Sequence, residues 1–210
     1  GDVYKRQFKP ITKRTKMIMR PESVNEIVRL AFKYAESEKP GATHINLPED
    51  IAKEEVPEGV ARKFITTAPK NKEYADIESI EHAAAAIFQA EHPVILAGHS
   101  AVRAKASRAL TEFATNLKIP VVNTMMAKGI VPYDNPYSMW TIGIPQKDYQ
   151  NVILEKADLI ITVGYDIVEF APIKCNLKDD HKIIHIDSRP SHVNNCLLYT
   201  SPSPRDAHES

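Results

Sequence analysis

The chain has 210 residues, 27 basic and 27 acidic side chains, a formal net charge of zero, 43% apolar residues and 26% charged residues. These values are ordinary for a globular chain of one large domain or one and a half. Zero net charge argues against nucleic acid or an anionic membrane as the main partner, because both need a basic surface. No apolar run approaches the roughly 20 residues that span a bilayer. Residues 1–10 hold no apolar signal core. The two cysteines, Cys175 and Cys196, lack metal-ligand spacing and point to a reducing compartment, the cytoplasm.

Both ends read as foreign. Residues 1–7 (GDVYKRQ) and 196–210 (CLLYTSPSPRDAHES) follow no periodicity, and they resemble translated adapter remnants from assembled reads. On this reading the native part is an internal piece of a longer protein. Phe8 to Met19 is strand-like or extended. Pro21 and Glu22 suit a first helical turn. Val24, Ile27, Val28, Ala31, Phe32 and Ala35 then recur at helical spacing, which predicts an amphipathic helix over 21–37. Pro40-Gly41 ends it, and Thr43 to Leu47 is a short strand stopped by Pro48. Residues 52–75, rich in charge and Pro, read as a linker between domains.

A second unit, residues 76–195, begins at Asp76, a good N-cap for an Ala-rich helix over 78–91. A buried strand, Pro93 to Ala97, follows. The apolar spacing of Val102, Ala106, Ala109, Leu110, Phe113 and Leu117 predicts one helix over 101–117. Ile119 to Asn123 is the next strand. A long loop to Gln146 and a short helix near Lys147 to Glu155 come after it. Leu159 to Val163 is a continuous apolar run rich in β-branched residues and closed by Gly164, as expected of a strand covered on both faces. Lys182 to Ile186 is the last strand. Strands alternating with helices predict an α/β fold with a Rossmann-like, doubly wound parallel sheet.

In such a sheet the carboxyl ends of the strands share one edge, and ligands sit there. Four strand ends offer polar groups: Gly98-His99-Ser100, Thr124-Met125-Met126, Gly164-Tyr165-Asp166 and Asp187-Ser188. Together they could line a nucleotide-type crevice. Gly98 has no second Gly in the GxGxxG spacing, so a Gly-rich pyrophosphate clamp is absent. His99 fits an acid or base, or a hydrogen-bonding turn residue. Asp187 fits a ribose hydroxyl acceptor, or a cap or solvated turn residue. Lys128 fits a phosphate contact or the surface. Asp166 and Glu169 fit a carboxylate pair, or residues that hold a loop.

The ordered runs FKPITK, KPGATHINLPEDI, PVILAGHSAVRAKAS, IPVVNTMMAKGIVPYDNP and ADLIITVGYDIVEF resemble the large subunit of acetolactate synthase and its thiamine-diphosphate-dependent relatives. The resemblance covers Phe8 to Asn195. It implies that residues 8–51 are the end of a pyrimidine-binding domain and 76–195 a central Rossmann-like domain. It also implies an enzyme that condenses two pyruvates with loss of CO2, using thiamine diphosphate and Mg2+ bound mainly outside this stretch. The family's activating glutamate and its diphosphate-binding motif have no counterpart here, so no catalytic residue is expected in the piece, which alone should be inactive. A homo-oligomer, dimer or tetramer, acting on a small 2-oxo acid is implied as well.

The resemblance carries Lys13 onto a basic residue of the substrate channel. It carries Lys39 onto the basic residue of a K-P-G motif near the flavin of flavin-holding members. Gly98, Thr124, Met125, Gly143 and Asp187 match positions around that flavin. With His99, Ser100, Tyr165 and Asp166 at the neighbouring strand ends, they make up an FAD-like nucleotide site. The sequence departs from the flavin-holding pattern at Gly164-Tyr165-Asp166-Ile167-Val168-Glu169-Phe170 and at Asp187-Ser188. It is closer there to flavin-independent, catabolic-type synthases, and this counts against FAD. Two other readings stay open: a sibling acting on another 2-oxo acid or on sulfoacetaldehyde, and a non-catalytic nucleotide-binding domain.

Overall fold

The computed structural model describes residues 7–37, 39–56, 74–143, 149–171 and 181–188. Residues 1–6, most of the linker (57–73), the start of the helix expected near Lys147, both cysteines and the 196–210 tail lie outside the described residues. The chain divides into two units, Gly1–Lys72 and Glu73–Ser210.

In the first unit, β1 (Arg14–Met17) and β2 (Thr43–Asn46) pair in parallel, with Arg14 opposite Thr43 and Met17 opposite Asn46. The expected helix over 21–37 opens as a 3-10 turn at Pro21–Ser23 and continues as α1 (Val24–Glu36). Proline at the first position suits that tight start, because its missing N–H has no partner to lose there. Pro48 ends β2 as expected, but it also serves as the N-cap position of a short helix, α2 (Glu49–Lys53).

The second unit is a five-stranded sheet. Asp76 caps α3 (Ile77–Gln89), its carboxylate accepting the Ser79 N–H at 2.8 Å. The other elements are β3 (Pro93–Ala97), α4 (His99–Arg103), α5 (Ser107–Leu117), β4 (Val121–Asn123), β5 (Ser138–Thr141), α6 (Tyr149–Lys156), β6 (Leu159–Val163) and β7 (Lys182–Ile186). The strands lie in the order β5-β4-β3-β6-β7, and every pairing is parallel. This is the Rossmann order 3-2-1-4-5. Successive residues of each strand point to opposite faces. On one face Ile95, Ala97, Val121, Leu159 and Ile161 pack with Leu110 and Ala114 of α5. On the other, Val94, Leu96, Val122, Ile160 and Ile183 pack with Leu154 of α6. Helices therefore cover both faces of the central strands, which is why β3 and β6 read as nearly unbroken apolar runs. Each fully buried Ile, Leu or Val contributes about 1.5–3 kcal/mol.

Two expectations are corrected. The helix foreseen over 101–117 is two helices, because Lys105 takes a positive φ of 56° between them. The break rotates the apolar face. Ala101, Leu110 and Ala114 are buried, whereas Val102 and Leu117 are each 39% exposed. The stretch foreseen as a long loop to Gln146 contains β5. Its register against β4 shifts between Val121 and Asn123, and Trp140 sits there with φ 64°. A bulge of this kind breaks the two-residue alternation by which a strand is recognised. The Trp140 ring stacks on Tyr133 with centroids 5.4 Å apart.

Candidate functional site at the sheet switch point

From β3 the chain steps outward to β4 and β5, then returns to the other side of β3 for β6 and β7. The carboxyl ends of β3 and β6 thus flank the switch point, where open α/β sheets hold their ligands. The residues foreseen at strand ends do gather there. Gly98 N–H donates to Val163 carbonyl at 2.9 Å, Ser100 N–H to Gly164 carbonyl at 3.0 Å, and Thr124 N–H to Ala97 carbonyl at 2.9 Å.

The two glycines let these backbones touch. A Cβ on Gly98 would lie 2.5 Å from the Gly164 carbonyl oxygen and from Tyr165 Cα. Gly164 has φ +61°, and a Cβ there would lie 2.2 Å from Ala101 N. Only glycine adopts that conformation against neighbouring main chain without displacing it.

After Gly164 the chain turns back over the strand ends. Tyr165 is 3% exposed, its ring belongs to the α6-side core, and its hydroxyl donates to the Phe170 carbonyl. Asp166 forms an Asx turn. Its Oδ1 accepts the Val168 N–H at 3.0 Å, and its carbonyl accepts the Glu169 N–H at 2.9 Å. That turn aims Glu169 into the crevice. Both Glu169 oxygens accept the His99 N–H at 3.0 Å, and Oε2 also accepts the buried Thr124 hydroxyl at 2.6 Å. One carboxylate therefore joins the ends of β3 and β4 to the loop after β6. Bonds to an ionised acceptor are roughly twice as strong as neutral ones.

The other foreseen residues take varied places. His99 Nδ1 lies 3.4 Å from the Met126 carbonyl. Met125 opens a one-turn 3-10 helix and is 62% exposed. Gly143, at φ +105°, abuts the Phe170 ring, where a Cβ would lie 2.8 Å from a ring carbon. Asp187, at the end of β7, accepts the Ser188 hydroxyl at 3.3 Å. Lys128 is exposed. Lys13 and Lys39 belong to the first unit. Lys13 Nζ donates to the carbonyls of Ser37 at 2.6 Å and Lys39 at 3.0 Å, tying down the chain after α1. That unit also holds a cavity of about 350 Å³, lined among others by Arg14, Lys16, Arg20, Glu26 and His44.

Two features escape the sequence reading. Glu169, weighed there with Asp166 as a carboxylate pair or as residues that hold a loop, ties its loop to His99 and Thr124 on two other strand ends, a link the sequence did not show, while Asp166 holds its turn. Asn123 is buried and donates through Nδ2 to the Thr124 carbonyl and the Thr141 hydroxyl, both at 2.9 Å, locking β4 to β5. The signal for Asn123 was a polar residue closing an apolar run.

Behind the site, Asp158 accepts the N–H groups of Glu91 at 2.6 Å and His92 at 2.9 Å. Burial pushes its carboxyl up, but those two N–H groups outweigh it and hold the carboxyl below the ordinary 3.8. Among the described residues, no three His, Cys, Asp or Glu side chains stand together as a metal cage, and no helix is long and apolar enough to cross a membrane. In the crevice, the His99 N–H and the Thr124 hydroxyl are both donated to Glu169.

The comparisons with known proteins agree with this architecture. The chain is 33% identical over 95% of its length to the "Probable acetolactate synthase large subunit" of Methanocaldococcus jannaschii, covering 34% of that protein. It is 32% identical over 86% of its length to the acetolactate synthase of Bacillus subtilis, covering 31% of it. It is 27% identical over 90% of its length to the glyoxylate carboligase of Escherichia coli O157:H7, covering 32% of it. The chain thus spans about a third of the length of the curated relatives it matches. The family model for the thiamine pyrophosphate enzyme central domain matches residues 80–199, more than half of the chain, and the chain belongs to that family.

Proposed function

We propose that this chain is part of a thiamine-diphosphate-dependent acetolactate synthase-like transferase, which joins two pyruvates with loss of one CO2. Residues 8–51 contribute the end of a pyrimidine-binding domain, and residues 76–195 the central domain. The observation that carries the reading is 33% identity to a probable acetolactate synthase large subunit over 95% of the chain. Thiamine diphosphate would supply the electron sink that decarboxylation of a 2-oxo acid needs. Residues outside this stretch would hold it and Mg2+. The sheet described here would position those parts in a homo-oligomer, with Lys13 at the approach to the substrate. No described residue is assigned to bond making or breaking, so the chain by itself should be inactive.

The test compares the 210-residue chain with the product of its complete gene, each given thiamine diphosphate, Mg2+ and pyruvate. The complete product should release one CO2 per acetolactate formed, and the shorter chain should release none above background. Acetolactate formed by the 210-residue chain would overturn the assignment of catalysis to other parts. A complete product that consumes no pyruvate would overturn the substrate. Similarity to a glyoxylate carboligase supports a second reading, a sibling acting on a different 2-oxo acid. Preference for glyoxylate over pyruvate in the complete product would decide for it.

A further inference from the structure

We infer that Glu169 is the internal occupant of the phosphate position at the switch point, and that its carboxylate closes the crevice to nucleoside diphosphates. A phosphate bound at such a place is recognised by free N–H and O–H groups at the strand ends and the helix that follows β3. Here the His99 N–H and the Thr124 hydroxyl are both donated to Glu169, at 3.0 Å and 2.6 Å. The carboxylate offers the same two-oxygen, negatively charged acceptor that a phosphate would.

Three further features make the occupancy stable. The Gly98 and Gly164 backbones are in contact, with no room for even one added carbon between them. The loop carrying Glu169 is closed on itself by the Tyr165 hydroxyl on the Phe170 carbonyl and by the Asp166 turn. The Phe170 ring packs on Gly143, which covers the β5 side of the same edge. An incoming diphosphate would have to displace a carboxylate from its donors or sit beside it, and like charges at that distance repel. The domain therefore keeps a dinucleotide-type fold while filling its own ligand position. One residue sets that selectivity. The inference does not depend on which 2-oxo acid the complete enzyme uses.

The experiment titrates ADP by calorimetry and FAD by fluorescence quenching into the 210-residue chain as wild type, Glu169→Ala and Glu169→Gln. The wild type should bind neither ligand saturably. Glu169→Ala should bind ADP at least about tenfold more tightly than the wild type, with Glu169→Gln in between. The Gln variant carries the test if the Ala variant loses its far-UV helical signal, because its amide still accepts the His99 N–H and can donate to Thr124. In the wild type, the His99 amide resonance should also stay put as ADP is added. Saturable ADP or FAD binding by the wild type, or a His99 amide that follows ADP, would overturn the inference. So would folded variants that bind no tighter than the wild type.

Discussion

The five-stranded sheet and the β1–β2 unit use the same local pattern, a parallel strand pair with a helix between, yet they end in different states of burial. In the five-stranded sheet Ile95, Leu96, Ala97, Val122, Ile160 and Ile161 have no exposed surface. In the Gly1–Lys72 unit only Ile18 and Pro21 are buried among the described residues, and α1 buries none of its side chains completely. Phe32, on that helix, remains 61% exposed. A parallel sheet needs both faces covered. Within this stretch the three central strands of the larger sheet have both faces covered, and the β1–β2 pair with its one helix does not. Amphipathic spacing declares which face of a helix prefers burial. The amount of burial depends on how many layers meet there.

Several measurements would break or sharpen that contrast. Gly164→Ala should be the most damaging change, costing more than about 4 kcal/mol in denaturant unfolding of the second unit, because its Cβ would meet Ala101 N at 2.2 Å. A loss near that expected of an ordinary surface residue would mean the two loops can separate. Leu96→Ala should cost about 2–5 kcal/mol through a cavity and lost burial, whereas Phe32→Ala should cost only about 0.5 kcal/mol or less. Equal losses at the two positions would erase the contrast. Amide exchange under native conditions should agree, with β3 and β6 protected longer than β1 and β2.

Thr124→Val should cost about 1–3 kcal/mol, since it keeps the shape of a buried side chain and removes a donor to the Glu169 carboxylate. An unchanged midpoint would show that Glu169 does not need that bond. The smallest effect belongs to Asp158. Its carboxyl is held below 3.8 in the fold, so its contribution is present above that value and lost as pH falls through the lowered folded value. Asp158→Asn should therefore be less stable than the wild type at neutral pH, and the gap should close in that acid window. A gap that persists below it would assign the loss to shape.

The central strands β3 and β6 were legible because burial leaves a mark in composition, and the edge strand β7 because its residues are mostly β-branched. Leu159 to Val163, Pro93 to Ala97 and Lys182 to Ile186 match the observed strands β6, β3 and β7 residue for residue. The Asp76 cap was legible because it is a local bond, three residues long in sequence. β5 was hidden by the bulge at Trp140, and the division between α4 and α5 by the positive φ at Lys105. A backbone angle outside its residue's usual region is imposed by packing, and composition does not announce it.

The order of motifs along this chain, the runs of β-branched residues and the glycines at the strand ends determined by themselves an α/β sheet with a polar edge and a family likeness. The tertiary structure alone decided what that edge does. Glu169 and Thr124 are 45 residues apart in sequence, and Glu169 and His99 are 70 apart. Only the parallel order β4-β3-β6 brings their atoms within hydrogen-bond distance. A carboxylate in sequence is a charge with two plausible neighbours, Asp166 or solvent. Folding half-buried it and supplied two donors, and that is the physical difference between a loop acid and the occupant of a site.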